Sequence, residues 1–527
     1  MRITNKIMQN NSMSNINTNK ILQDKLNTQM ASGKKINRPS DDPVIAIRAL
    51  RLRSTLTEVT QYHDKNVEDA DSWLQVTESA INTVTDILED MYEQCNKGSN
   101  EKLTSQNRNI ILESLKALRD ELYATGDADY AGRGLFTGYR TSTKLRFEED
   151  IEQTYSITEE VDKSVLDDIT YIKMDNGQNS IGEINSGNYA SADYAMEDTA
   201  VSRETVHRLR LSYKDLDADV TPVISYYSGS ANGANTLKTV DVETVSVFGG
   251  ADAGGNPIDP YQRAKEVTDR EYAVYIPETG ELILNDLAYE ALSSVRDYAS
   301  TECVNEGSIS ITYSKTSWET GDLRPEHYFK CIEEPAGKAI EHNYDQNTKN
   351  QVISYDVGFN QEIRVNTLAD ECYTHAVGRD VEDLVNVLEQ VGDVEATVAE
   401  LEKIIADTST AEADRAVAQK SLAAAEKALT FLNEKLQVSF ENGITKMQKH
   451  LDSTTLALTD VGTRSSKLEL VKTRLASQKT NFKDLVADNE QADTAEVATD
   501  LASAKLAYDA ALMATGKLTD STLMNYI

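Results

Sequence analysis

The sequence predicts an α+β fold: a long antiparallel helical bundle, partly coiled coil, built from both chain ends, with a central β-rich outer domain and an inserted αα-hairpin. Three observations carry this. Over about the first 135 and last 160 of its 527 residues the chain is poor in Gly and Pro, and apolar residues recur at helical spacing. The stretch between holds most of the Gly and Pro, with short alternating runs that read as strands and turns. A chain that begins and ends in helices around a β-rich body most simply folds back so that its ends lie together. Paired terminal helices cannot bury their stripes alone, which points to assembly rather than catalysis.

On this pattern, residues 1–40 form an N-terminal core helix that pairs with the C-terminal helix and orders on assembly. Residues 41–140 form an N-terminal helical-bundle segment and 141–368 the β-rich outer part, as one or two domains. Residues 369–488 form a C-terminal helical-bundle segment with the αα-hairpin at about 395–436, and 489–527 a C-terminal core helix.

Each element has its reasons. The first helix places Ile3, Ile7, Met13, Ile16, Leu22, Leu26 and Met30 in a rough 3–4 pattern. Gly33 suits its C-cap, with Lys34 and Lys35 near the negative end of the dipole. In INRPSDDP, the side chains of Ser40, Asp41 and Asp42 offer acceptors to free amides, and Pro43 suits a first helical turn. The next helix carries Val44, Ile47, Leu50, Leu52, Leu56 and Val59, and its stripe continues through Trp73, Leu74, Ile81, Val84, Leu88 and Met91 to KGSN at 97–100. A third helix over about 103–125 ends in GDADYAGRGLFTGYRT, whose glycines break it.

In the β region, KLRFEEDIEQTYSI, TVDVETVSVF, EYAVYI and ELIL on either side of PETG, SISITYSK and QVISYDVGFNQEIRVNT read as strands, with a helix expected near 199–217. Helix returns near Leu368. A polar break at 407–414 separates the two arms of the hairpin, and Leu422, Leu429, Leu432 and Leu436 keep heptad spacing. Val461, Leu468, Val471, Leu475, Phe482 and Leu485 fall on a/d positions and, with Trp73 and Leu74, are the expected bundle core. After the polar link DNEQADTAE, Val497, Leu501, Tyr508 and Leu518 form a last stripe, which pairs with the first helix as the assembly core.

Nine Ile, Leu or Met fall within residues 3–31. Burying each is worth about 1.5–3 kcal/mol, while ordering each of 29 backbones costs about 1–2 kcal/mol. The first helix is therefore expected to order when neighbouring copies complete its groove.

A net charge of −34 argues against a nucleic-acid partner. Residues 1–60 depart from it, with ten Lys or Arg and four Asp or Glu. Such a basic end either steers contacts between copies or is a solvated helix face. No run approaches the roughly 18–20 apolar residues of a membrane span, and MRITNKIMQNNSMSN lacks the apolar region of a secretory signal. The chain is expected to stay in the cytoplasm or to leave by a route without a cleaved signal.

Cys95, Cys303, Cys331 and Cys372 are too few and scattered for a disulfide framework, although Cys303 and Cys331 could pair. His327-x3-Cys331 and Cys372-x2-His375 have zinc-like spacing, but nothing else supports a site, and separate core or surface residues are the simpler reading. HExxH, GxSxG and GxxxxGK[ST] are absent, so no catalytic, metal or cofactor-binding residues are assigned. Glu148–Glu149 and Glu159–Glu160 read as acidic solvated surface, and Asp41 and Asp42 as a helix cap with a salt bridge to a neighbouring helix.

MRITNKIMQNN, MASGKKINRPSDDPVIAIRALRLRS, NVEDADSWLQVTESAI, LALTDVGTRSSKLELVKTRL and the end DTAEVATDLASAKLAYDAALMATGKLTDSTLMNYI resemble the two ends of the flagellin superfamily. Within it, RPSDDPV with the basic RALRLRS, SWL, and YAGRGLFTGYRT look more like the subunits that join hook to filament than like filament flagellin. The resemblance covers about 1–141 and 355–527. It implies a non-catalytic, self-assembling structural subunit without cofactors, exported through the flagellar type III apparatus to an extracellular place on the bacterial flagellum. The implied partners are other copies in a ring, a hook-side hook-associated protein, filament flagellin, and a cytoplasmic export chaperone that holds the C-terminal helices. Nucleic acid and membrane insertion are not expected. Filament flagellin, and a junction subunit whose outer domain carries a binding or enzymatic activity, remain the other readings.

Overall fold

The computed structural model describes residues 5–100, 105–175, 179–229, 235–247, 258–294, 309–335, 338–344 and 351–520. Helices α1 (Asn5–Ser32) and α2 (Pro43–Gln61), a π-helical turn (Tyr62–Val67), α3 (Glu68–Gly98) and α4 (Ser105–Thr125) come first. A small hairpin follows, β1 (Asp129–Tyr130) and β2 (Arg133–Gly134), then β3 (Ile151–Val161), β4 (Leu166–Lys173), β5 (Ser202–Arg210), β6 (Val223–Gly229) and β7 (Asn235–Thr244). Next are α5 (Pro260–Glu266), β8 (Tyr272–Ile276), β9 (Glu281–Leu284), α6 (Asp286–Ser293), β10 (Ile309–Trp318), β11 (Lys330–Glu333) and β12 (Ile340–His342). The chain closes with β13 (Ser354–Gly358), β14 (Gln361–Arg364), α7 (Ala369–Cys372), α8 (His375–Ala406), α9 (Glu412–Glu490) and α10 (Thr494–Asp520). It divides into two compact units: Met1–Asp71 with Tyr355–Ile363 and Ser466–Ile527, and Ser72–Ser354 with Arg364–Ser465.

In the second unit, one ten-stranded sheet runs in the order β12-β11-β3-β10-β6-β7-β8-β9-β5-β4. Its pairings are antiparallel except β7 with β8. Strands β3 to β12 thus form one sheet, while β13 and β14 pair separately. Trp318, Tyr155, Phe147 and Tyr213 pack in its core with ring centroids 4.9–6.3 Å apart, edge to face except for the tilted Phe147–Trp318 pair. Gly280, at φ +62, turns β8 into β9, and a Cβ there would lie 2.0 Å from the Tyr213 carbonyl oxygen, so only glycine fits.

Two expectations are corrected here. Residues 199–217 contain β5 rather than a helix, because Val206 and Leu209 are buried between β4 and β9 while charged neighbours disguise the alternation. Glu159 is not surface. It is 2 % exposed and accepts from Ser212 N at 3.1 Å and from the Tyr313 hydroxyl. Burial pushes its carboxyl above the usual range, against these bonds.

The helical side of this unit buries Trp73, Leu74, Ile81 and Leu88 of α3, Leu115 and Leu122 of α4, Val381, Leu384 and Val391 of α8, and Leu432, Leu436 and Val461 of α9. A turn at 407–411 joins α8 to α9, which continues unbroken to Glu490. The hairpin arms are therefore the end of α8 and the start of α9 rather than separate helices. Arginines tie sheet to helices: Arg208 holds Glu281 at 2.6 Å and Asp383 at 2.9 Å, and Arg210 holds Asp380 at 2.6 Å. Burial alone would raise the Asp380 carboxyl, but His450, Arg210 and Lys446 outweigh it and hold it well below the usual range.

The four residues with zinc-like spacing are buried or half-buried in this core, and among the described residues no group of His, Cys, Asp and Glu is arranged to hold a metal. His375 packs against Tyr213, Tyr328 and Phe329. His327 Nε2 donates to Lys144 O at 3.1 Å. Burial pushes His375 down to about 3 and His327 to about 4, so both stay neutral in the fold. Burial also raises the Cys95 thiol to about 12, and Cys303 lies outside the described residues.

A histidine that must stay neutral in the fold but can protonate when unfolded contributes stability in full above about pH 6.5, and that stability falls as pH drops toward its folded value. One such group changes stability by at most about 1.4 kcal/mol per pH unit. We expect His375→Phe to match the parent melting temperature near pH 7.5 and to lose less on titration to pH 4.5. Parallel slopes in calorimetric scans of the two proteins would overturn this.

Candidate functional site

The terminal helices pair within the first unit. Ala492 N donates to Gly33 O at 3.0 Å, so α10 starts where α1 ends and the two run antiparallel. Gly33, at φ +64, closes α1 through its N–H to Gln29 O. Lys35 N donates to Glu490 O at 2.7 Å and Lys35 Nζ to Asp488 O at 2.7 Å, placing a cation on the negative end of α9.

The α10 face toward α1 follows a heptad: Val497 and Ala504 are buried, and Leu501, Tyr508, Ala511 and Thr515 half-buried. The matching α1 stripe is Ser12, Ile16, Asn19, Gln23, Leu26 and Gln29, of which Ile16 and Leu26 are buried. The stripe paired within one subunit is thus narrower than the assembly core expected from the sequence. Ile7 and Leu22 fall off that spacing and stay exposed, with Met13, Ile21 and Met30. Leu506 and Met513 of α10 are exposed as well, each at 72 %. Ile3 and the Leu518 side chain lie outside the described residues.

The RPSDDPV turn works through backbone amides. Asp41 Oδ2 accepts from Asn37 N at 3.2 Å and Arg38 N at 2.9 Å, which hold its carboxyl below the usual range. Asp42 Oδ1 accepts from Val44 N at 3.0 Å and Ile45 N at 3.1 Å, and Pro43 occupies the first helical position. Asp42 is thus the cap, and Ser40 sits in the turn before it. The helix that follows presents the opposite face from the one expected. Ala46, Ala49 and Val59 are buried, while Val44, Ile47 and Leu50 stay exposed beside Arg48 and Arg51. The small alanines let α2 approach the end of α9, where Asn489 Nδ2 reaches Ile45 O and Arg53 bridges Glu490.

Farther along α9, Leu468, Val471 and Leu475 are buried and Phe482 half-buried. Leu485 is 48 % exposed, a correction to its core assignment, since the apolar cover along this flank stops short of it. Sequence reasoning missed the π-helical turn at Tyr62–Val67. It aims Asn66 Nδ2 at Asp356 O, 2.7 Å away, sets Tyr62 edge-on to Phe359, and lets Asp64 take Lys479 at 2.7 Å. In the second unit, Arg133 of the YAGRG turn lies 4.8 Å over Trp73, which joins two of the sequence motifs. What the described terminal helices offer is uncovered apolar surface on a helix pair.

We expect Leu475→Ala to destabilise the first unit by about 2–5 kcal/mol and Leu485→Asp to stay within about 0.5 kcal/mol. Hydrogen exchange across 466–490 separates the two, and equal effects would contradict the burial difference.

Residues 3–141 match the bacterial flagellin N-terminal helical region. Flagellar hook-associated protein 3 of Escherichia coli (strain K12) is 26% identical over 262 residues, covering 46% of this chain and 78% of that one. Its counterpart of the same name in Salmonella typhimurium (strain LT2) is 30% identical over 142 residues, 27% of this chain and 44% of that protein. A flagellin of Clostridium tyrobutyricum is 30% identical over 122 residues, 23% of this chain and 32% of that protein. Over residues 3–141 the chain is similar to the bacterial flagellin N-terminal helical region, and it is similar as well to flagellar hook-associated protein 3.

Proposed function

We propose that this chain is a non-catalytic structural subunit of the bacterial flagellum that forms the junction between hook and filament. The observation that carries it is the α1–α10 pair: two antiparallel helices joined along one narrow stripe, with Ile21, Leu22, Leu506 and Met513 left uncovered. Apolar surface of that kind is stabilised when further helices cover it, and other copies of the chain carry the matching helices. The likeness to the Escherichia coli hook-associated protein 3 covers 46% of this chain and that to its Salmonella counterpart 27%, against 23% for the flagellin, which favours the junction over the filament shaft.

In this reading the copies form a ring that meets a hook-side hook-associated protein below and filament flagellin above. Export precedes assembly, with a chaperone covering the C-terminal helices until the subunit leaves the cell. The second unit is then carried by the assembly rather than building it.

Deleting residues 1–35 is expected to leave the second unit folded, with its melting transition retained, and to abolish incorporation at the hook. Incorporation of the truncated chain would refute the role of the helix pair. Labelled antibody on intact flagella decides between one band at the hook end and staining along the shaft.

A further inference from the structure

Strand β4 ends the ten-stranded sheet, and a cleft of about 1390 Å³ within the second unit lies against it, with α5, α8 and α9 as its other walls. Every residue from Asp167 to Asp175 lines that cleft. A strand that shows one face to a cleft contributes alternate residues, so a strand that contributes all of them in succession presents its edge.

The ladder tells which backbone groups that edge offers. Leu211 N donates to Gly280 O at 2.9 Å, continuing the β5–β9 pairing. By alternation the odd residues of β5 face β9 and the even residues face β4. Asp167–Arg208, Ile169–Val206 and Tyr171–Glu204 are therefore the hydrogen-bonded pairs of β4 and β5. The N–H and C=O groups of Asp168, Thr170 and Ile172 point away from β5, and among the described residues no strand takes them up.

Charge limits what could. Eleven Asp or Glu and six Lys or Arg line the cleft. Five of the cations already hold partners of this chain: Lys173 with Gln262, Arg203 with Glu434, Arg208 with Glu281, Arg263 with Glu266, and Lys446 with Asp380. The sixth, Lys435, is half-buried and lies in the field of the Glu281 and Asp383 carboxylates. The carboxylates are in excess, and Asp393 and Glu389, the latter 3.7 Å from Lys116 Nζ, stand exposed on the α8 wall. Leu384 and Val387 of α8 and Ile169 of β4 supply apolar lining between them.

We propose that this cleft takes an extended basic peptide segment of another polypeptide, which adds to the β4 edge as an eleventh strand. Its backbone pairs with Asp168, Thr170 and Ile172, its lysine or arginine side chains meet the surplus carboxylates, and its alternate apolar side chains meet Ile169, Leu384 and Val387. About eight residues at 3.3 Å each span the exposed edge. The site is independent of the terminal helices and stands or falls separately from the junction reading.

The test uses the full chain and a fluorescein-labelled octapeptide of alternating lysine and valine, read by anisotropy. The expected result is saturable binding that weakens at least tenfold when alternate peptide amides are N-methylated, and likewise when glutamate replaces lysine. Thr170→Pro removes one outward N–H without touching the β5 ladder, an edge position where proline is tolerated, and is expected to weaken binding at least tenfold. If circular dichroism finds that variant misfolded, Glu389→Lys with Asp393→Lys, both exposed, carries the same expectation. No binding by the parent chain, equal binding of the N-methylated peptides, or unchanged binding by a folded variant would overturn the proposal.

Discussion

The contact of Lys35 with the end of α9 joins positions 453 apart in the chain, and the organisation of the first unit depends on it. Lys35 gives its backbone N–H to Glu490 O and its ammonium to Asp488 O, so one residue satisfies two carbonyls that a helix end leaves open. The neighbouring Lys34–Gln491 bridge and the Ala492–Gly33 bond then fix where α10 begins relative to α1. With that register set, Val497 and Ala504 meet Leu26, and Arg53 reaches Glu490. Few of these contacts are apolar. The pair is located by polar groups and held by a thin stripe, which leaves most of its apolar surface for something else to cover.

The second unit is held by a different means. Arg208 and Arg210 project from β5 onto Asp380 and Asp383 of α8, and Lys446 and His450 of α9 complete the cluster. Arg208 and Asp380 are buried, and charges so placed are tolerable only because each is paired and hydrogen-bonded. The aromatic cluster about Trp318 and the neutral histidines beside it fill the rest of the core. A rigid sheet packed on helices can carry an exposed edge such as β4 without losing its own register.

Much of this was legible in the sequence. Helix starts and stops were marked by local chemistry: Gly33 as a C-cap, Asp42–Pro43 as an N-terminal signal, the 407–411 turn between α8 and α9. The β8–β9 hairpin showed itself by two apolar runs around PETG. Other parts were hidden for physical reasons. In β5 the buried arginines obscured the alternation that marks a strand, and Glu159 looked like surface because a lone carboxylate gives no sign of the Tyr313 hydroxyl that will bind it. The π-helical turn depends on a hairpin nearly 300 residues away.

Helical periodicity alone determined that the ends are helices and that they carry more apolar residues than one partner can cover. It could not determine which apolar residues meet that partner. On α1 the heptad through Ile16 and Leu26 faces α10 while Leu22 and Ile21 face away, and on α2 the alanines are buried while Val44, Ile47 and Leu50 are not. The rotation of each helix was decided by tertiary contacts, among them those that Lys35, just beyond α1, and Arg53, within α2, make with the end of α9. A helix with apolar residues on several sides has no preferred face of its own, so its neighbours choose one.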